Sequence, residues 1–143
     1  MYHYRECGLQ KVWLENGYKV ARTPYGEGVS ISHVDTLHGV IGRTLAQRPQ
    51  LTGSELRFLR KEMELSQRSL ADMLGVSEQI VSLWERRGRI PKGAARLLKV
   101  IYVEHLDGKV KVREMIEQWS ERDTNQREEL RFRARGGEWR AAA

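Results

Sequence analysis

Between Leu65 and Gly88 the chain reads Leu-Ser-Gln-Arg-Ser-Leu-Ala-Asp-Met-Leu-Gly-Val-Ser-Glu-Gln-Ile-Val-Ser-Leu-Trp-Glu-Arg-Arg-Gly. Its side chains able to do chemistry are Gln67 and Arg68, then Ser77, Glu78, Gln79, Ser82 and Arg86. Their chemistry is hydrogen bonding and charge. Serine and glutamine offer donors and acceptors that match base edges, and arginine holds phosphate. A carboxylate among phosphates is repelled unless it accepts from a cytosine amino group or pairs with an arginine. Glu78 and Gln79 are therefore expected to tune sequence choice, and Gln67 and Arg86 to position the element that carries them.

Two short helices must place these groups. Ser66 can accept from free N–H groups in the next turn, ahead of Leu70, Ala71 and Leu74 at helical spacing. Gly75 can end that helix in the left-handed conformation, and Val76 can fill the angle behind it. Ser77 starts the second helix. Ile80, Val81 and Trp84 are expected on its buried face, leaving Ser77, Glu78, Gln79, Ser82 and Arg86 on or near the other. Glu85 is expected to be an acceptor inside the domain.

The residues Leu-Ser-Gln at 65–67, Leu-Gly-Val-Ser at 74–77 and Trp-Glu-Arg at 84–86 resemble the helix-turn-helix of the XRE (Cro/phage-repressor-like) family, over roughly Leu51 to Leu106. The resemblance implies a DNA-binding transcriptional regulator in which Gln67, Arg68, Ser77, Glu78, Gln79, Ser82 and Arg86 contact double-stranded DNA. One recognition helix touches few bases, so such proteins read inverted-repeat operators as homodimers, with half-sites about 34 Å apart.

The flanking helices carry their own signals. Arg48-Pro49-Gln50 is the joint, because proline biases Arg48 to extended geometry. Thr52 and Glu55 form a capping box, with Leu56, Leu59 and Met63 as the buried stripe, and Arg57, Arg60 and Lys61 elsewhere, solvated or near a phosphate. Arg86, Arg87, Arg89 and Lys92 form a cationic cluster after the motif, where phosphate neutralisation would make binding salt-sensitive. Pro91 opens a helix whose apolar face is Ala94, Leu97, Leu98 and Ile101, and Trp84 should pack against it.

Towards the N-terminus, Val12 to Leu14 and Tyr18 to Ala21 flank Asn16-Gly17, a type I′ hairpin signal, with a third extended piece at Val29 to Ile31. Ser32 to Asp35 reads as a capping box for a helix from about Val34 to Ala46, with Val34, Leu37, Ile41 and Leu45 as its stripe. Beyond Asp107-Gly108, Val110 to Ser120 predicts a further helix and Arg122 to Glu129 a polar tether. Phe132, Ala134, Gly136-Gly137 and Trp139 predict a hairpin or added strand. A lone two-stranded hairpin is marginal in water. It is therefore expected to pair with N-terminal strands, of its own chain or a partner, or to stay disordered. Its arginines at 131, 133, 135 and 140 alternatively suit a DNA-seeking arm.

The 143 residues are 40% hydrophobic, enough for a modest core, and carry a net charge of +6. Residues 1–50, 51–107 and 108–143 each hold two more basic than acidic side chains, so the nucleic-acid reading rests on the motif, not on bulk charge. One cysteine, Cys7, excludes an intrachain disulfide. No apolar run approaches a membrane span and no signal-peptide core opens the chain, so a cytoplasmic protein is expected. His3, Cys7, His33 and His38 lack zinc-site spacing, and no orienting carboxylate or oxyanion loop lies near Cys7 in sequence. No metal, cofactor or enzymatic activity is expected.

Cys7-Gly8-Leu9, Val12-Trp13-Leu14, Asn16-Gly17 and Leu51 to Arg60 also resemble antitoxins of the MqsA type. That resemblance implies an autorepressing antitoxin of a type II toxin-antitoxin pair, with a cognate toxin held by the N-terminal segment. The paired cysteines of that family's zinc segment are missing, so packing must hold the segment here. Two alternatives stand beside it: a stand-alone phage- or plasmid-type repressor, and a protein-interaction module that has lost DNA binding. The expected fold is mainly α: a five-helix XRE-type domain at 51–107, a small α/β segment at 1–50 for partner binding or dimerisation, and a helix with a β-hairpin tail at 108–143.

Overall fold

Helix α2 (Gly53–Glu62) begins where Thr52 accepts from the Glu55 amide and the Glu55 carboxylate accepts from the Thr52 amide. This reciprocal cap satisfies two amides that a helix start would otherwise leave free. Three further helices follow, α3 (Gln67–Leu74), α4 (Glu78–Arg87) and α5 (Lys92–Leu106), after α1 (Val34–Ala46). The strands are β1 (Tyr2–His3), β2 (Trp13–Leu14), β3 (Tyr18–Thr23), β4 (Gly26–Ile31), β5 (Phe132–Arg135) and β6 (Glu138–Ala141). The computed structural model describes residues 1–108, 114 and 131–141. The helix expected at 110–120, apart from Glu114, and the tether at 122–129 lie outside the described residues.

The core joins α1 to α5. Leu56, Leu59, Leu70, Val81, Leu98, Ile101 and Tyr102 are its largest fully buried side chains, and Leu9 and Leu45 belong to the same cluster. Each such aliphatic side chain contributes about 1.5–3 kcal/mol on burial. The helix count of five is met only by counting α1, which lies before residue 51 and packs on α5 and α2. Ala95 and Tyr102 fill the centre of the α5 face, where Ala94 and Leu97 are only half-buried.

Two glycines set helix distances. A Cβ on Gly53 would lie 2.3 Å from the Glu85 carbonyl oxygen and 2.6 Å from that of Trp84. The first turn of α2 thus rests directly on the backbone of α4. On α1, a Cβ at Gly42 would meet the Tyr102 hydroxyl oxygen at 1.8 Å. That hydroxyl is buried with no hydrogen-bond partner among the described residues, and burial pushes its pKa up.

The N-terminal strands depart from expectation. Gly17 does take a positive φ of 80°, but Asn16-Gly17 does not close a hairpin between residues 12–14 and 18–21. Trp13–Leu14 pairs instead with Tyr2–His3, and β3 pairs with β4 over six rungs around Pro24-Tyr25. Six rungs outweigh the two that Trp13–Leu14 could offer, and Thr23 Oγ1 donates to the Gly26 carbonyl at 2.7 Å to close the turn. The capping box expected at Ser32 is absent as well. His33 is the N-cap, in the left-handed region at φ 52° with no side-chain cap, because the Ser32 amide already donates to the Gly17 carbonyl at the hairpin's end.

The tail hairpin forms, but on its own. Among the described residues β5 and β6 make a separate two-stranded sheet and do not extend the N-terminal strands.

Gly53→Ala should lower unfolding free energy by about 3 kcal/mol, the upper end of overpacking costs, because backbone cannot yield as a side chain can. Gly42→Ala should cost about 1–2 kcal/mol. Tyr102→Phe should be neutral or stabilising by about 1 kcal/mol, since it removes an unsatisfied buried hydroxyl. Urea unfolding of the three variants checks the order, and a Tyr102→Phe protein markedly weaker than wild type would contradict it.

Candidate nucleic-acid interface

The two helices of the central motif start and stop as their residues dictate. Ser66 accepts from the Ser69 amide at 3.0 Å and Ser77 from the Ile80 amide at 3.3 Å, each capping a helix start. Between them Gly75 sits at φ 69°, and the Val76 amide donates to the Ala71 carbonyl at 3.0 Å. That left-handed residue ends α3 and redirects the chain within two residues. Gly88, at φ 72°, ends α4 in the same way.

The angle between the helices is held by charge as well as packing. Arg60 on α2 donates from Nε and Nη2 to the two Glu85 carboxylate oxygens, at 3.0 and 2.9 Å. Its Nη1 donates to the Leu65 carbonyl at 2.8 Å. Glu85 also accepts from Gln67 Nε2 at 3.3 Å. Glu85 is thus the internal acceptor it was expected to be. Arg60 is a correction: it is neither solvated nor placed for phosphate, but only 8% exposed, with all three of its guanidinium nitrogens donating inside the domain. A planar guanidinium suits this, because its fork matches a carboxylate in two parallel bonds.

The expected contact residues divide in two. Gln67, Ser82 and Arg86 line one groove of about 630 Å³ together with Ser54, Arg57 and Lys61. Gln67 is half-buried there, its amide nitrogen turned to Glu85, which leaves the carbonyl oxygen as the end free for other work. The Arg86 Nε–H donates back to the Ser82 carbonyl at 3.4 Å, so its stem follows its own helix. Ser77, Glu78 and Gln79 form the exposed first turn of α4, and Arg68 is exposed on α3; none of these four lines that groove. Ile80 was expected on the buried face and is 39% exposed instead. Val81 and Trp84 fill the face of α4 that packs on α2 and α3, which leaves Ile80 beside the polar face. Arg87 at the end of α4, Arg89 in the loop after it and Lys92 at the start of α5 are exposed.

The other wall of the groove comes from the N-terminal segment, through Glu6, Cys7 and Gly8. Beside it, His38 Nε2 lies 2.7 Å from the Tyr4 hydroxyl and Nδ1 lies 3.2 Å from Glu62, with the ring 5.4 Å from that of Phe58. Burial pushes the Cys7 thiol and the Tyr4 hydroxyl above their usual ranges, so Cys7 is a protonated thiol at neutral pH and a weak ligand or nucleophile. His3 stacks on Trp13 at 4.1 Å and bonds the Gln10 carbonyl. Among the described residues no three His, Cys, Asp or Glu side chains come together as a metal site. Nor is any helix among them long and apolar enough to cross a membrane.

Residues 56–95 match the helix-turn-helix family, of XRE type. That segment runs from α2 through the first residues of α5 and contains the whole Arg60–Glu85–Gln67 assembly. The chain therefore carries a helix-turn-helix domain of the DNA-binding, transcription-regulator kind, a domain type that is not ordinarily enzymatic. No curated protein and no solved structure matches the chain.

Arg60→Met should lower unfolding free energy by about 3–5 kcal/mol, because it strands the Glu85 carboxylate in a buried site. Arg60→Met combined with Glu85→Leu should recover most of that loss. Urea titrations of wild type, single and double variants read this. Equal losses in the single and double variants would mean that Arg60 acts by packing alone.

Proposed function

We propose that the protein is a sequence-specific transcriptional regulator that binds an inverted-repeat operator as a homodimer, with α4 as the groove-reading helix. One observation carries this reading: the first turn of α4 presents Ser77, Glu78 and Gln79 to solvent, while Val81 and Trp84 on its other side lock the helix into the core. A helix fixed on one side and polar on the other suits a major groove. Gln79 is the adenine-reading candidate, because an amide can bond bidentately to adenine N6 and N7. Glu78 selects for cytosine or excludes by repulsion. Gln67, Arg68, Ser82 and Arg86 fix orientation through sugar-phosphate contacts, and Ser77 both caps the helix and offers its hydroxyl hydrogen.

Repression of its own promoter within a toxin-antitoxin pair is the second reading, with residues 1–50 as the partner-binding part in the cytoplasm. It is favoured by the apolar side chains exposed on that segment, Trp13, Val20 and Tyr25. Val20 stands directly opposite Val29, also exposed, so part of this apolar surface is contiguous, as at an interaction surface. Co-purification of the product of an adjacent reading frame with the full chain separates this reading from a stand-alone repressor.

In a binding assay on DNA from its own promoter region, Gln79→Ala should reduce discrimination against unrelated DNA by about 1–3 kcal/mol at the affected base pair. Glu78→Gln should shift operator preference, with stability unchanged. Cross-linking should capture two copies on one operator. A monomer both free and on DNA defeats the dimer, and specific binding indifferent to Gln79 removes α4 as the reader.

A further inference from the structure

The antiparallel register of β5 and β6 sorts the tail by chemistry. The rungs are Phe132↔Ala141, Arg133↔Arg140, Ala134↔Trp139 and Arg135↔Glu138. Side chains alternate across a strand, so Phe132, Ala134 and Trp139 share one face, and Arg133, Arg135, Arg140 and Glu138 share the other. Gly136 and Gly137, at φ 61° and 82°, supply the two positive φ angles of a two-residue type I′ turn, which pins that register. Residues 132–140 of the hairpin are exposed, with Trp139 75% and Phe132 62% accessible.

The cationic face is built against itself. Arg133 and Arg140 stand directly opposite, and like charges at that position oppose pairing. Glu138 is the one acidic residue on the face and lies 3.8 Å from Arg140. Three guanidinium groups therefore meet one carboxylate, and a row of anions would remove the repulsion. We infer that the β5–β6 hairpin is a second DNA contact, laying Arg133, Arg135 and Arg140 along the sugar-phosphate backbone while α4 reads the groove. The inference rests on the DNA-binding reading above. Duplex DNA is favoured over other polyanions because the same polypeptide carries the groove-reading helix, so the second contact is intramolecular and its effective concentration high. Arginine in a row suits phosphates in particular, since each guanidinium can give two parallel hydrogen bonds. The contact is blind to sequence: phosphates position a protein and carry no base information.

The test uses the full chain and two duplexes of equal length, one from its own promoter region and one scrambled, over a series of salt concentrations. Replacing Arg133, Arg135 and Arg140 together by Gln should weaken binding to both duplexes by about tenfold or more. It should also flatten the dependence of log affinity on log salt by roughly two to three for each protomer bound, about five for the homodimer. The ratio between the duplexes should not change. Replacing the same three by Lys should keep the wild-type salt slope, as only charge is required for counterion release. A Gln variant with the wild-type slope on both duplexes, in a protein whose discrimination Gln79→Ala still reduces, overturns the hairpin contact and leaves α4 as reader. Loss of binding to vesicles of anionic phospholipid in the Gln variant, with DNA affinity unchanged, reassigns the hairpin to a membrane surface. A wild-type protein that binds neither duplex overturns the functional reading, and this inference with it.

Discussion

The placement of α4 depends on one buried guanidinium. Arg60 spends its donors on three bonds, two to Glu85 and one to the Leu65 carbonyl, and so ties α2 to α4 and to the turn that leads into α3. Buried ion pairs are weak contributors to net stability, because desolvation offsets most of the attraction. Their strength is directional. A slipped or rotated α4 would keep much of its apolar burial, since Val81 and Trp84 can find other neighbours, but it would leave a carboxylate and a guanidinium unpaired inside the domain. Alternative packings are thereby raised in energy far more than the native one is lowered. Gly53 closes the same joint sterically, with the carbonyls of Trp84 and Glu85 where a Cβ would be. The direction in which α4 presents Glu78 and Gln79 to solvent is set by the same two contacts.

Much of this frame was legible in the sequence. Ser66, Ser77, Thr52 with Glu55, and Gly75 cap the helices they were expected to cap, because capping is local: it depends on a side chain and an amide three residues away. Arg60 was misplaced for the opposite reason, since its partner lies 25 residues off on another helix. One signal was present. Arg60 stands four residues after Leu56 and three before Met63, inside the apolar stripe of α2. A charged residue there implies a buried partner, and Glu85 beside Trp84 occupies a matching place on α4. The hairpin at Asn16-Gly17 failed through competition. Turn chemistry permitted it, but long-range pairing of β3 with β4 offered more rungs. Local preference yields when a longer register is within reach.

The N-terminal segment is also less separate than a proline-marked joint implies. Arg48 pairs with Glu55 at 3.1 Å, and its carbonyl accepts from Lys99 Nζ, so the connection is tied at both ends of the central domain. The exposed parts of these pairs contribute little each, about 0–1 kcal/mol. The buried contacts weigh more: Leu9 and Leu45 enter the same core as Leu70 and Leu98, and Tyr4 reaches Glu62 through His38.

That arrangement gives α2 two audiences. Phe58 and Glu62 meet His38 from the N-terminal segment, whereas Gly53 and Arg60 hold α4. Glu62 and Arg60 are two residues apart on one short helix, so they point in different directions while sharing the same backbone. A ten-residue helix buried along much of its length moves as a unit. Tyr4 and His38 on one side and Glu85 of α4 on the other are therefore separated by a single element. The fold joins its N-terminal flank to the central helices by packing as well as by covalent linkage, and α2 is an element that touches α1 on one side and α4 on the other.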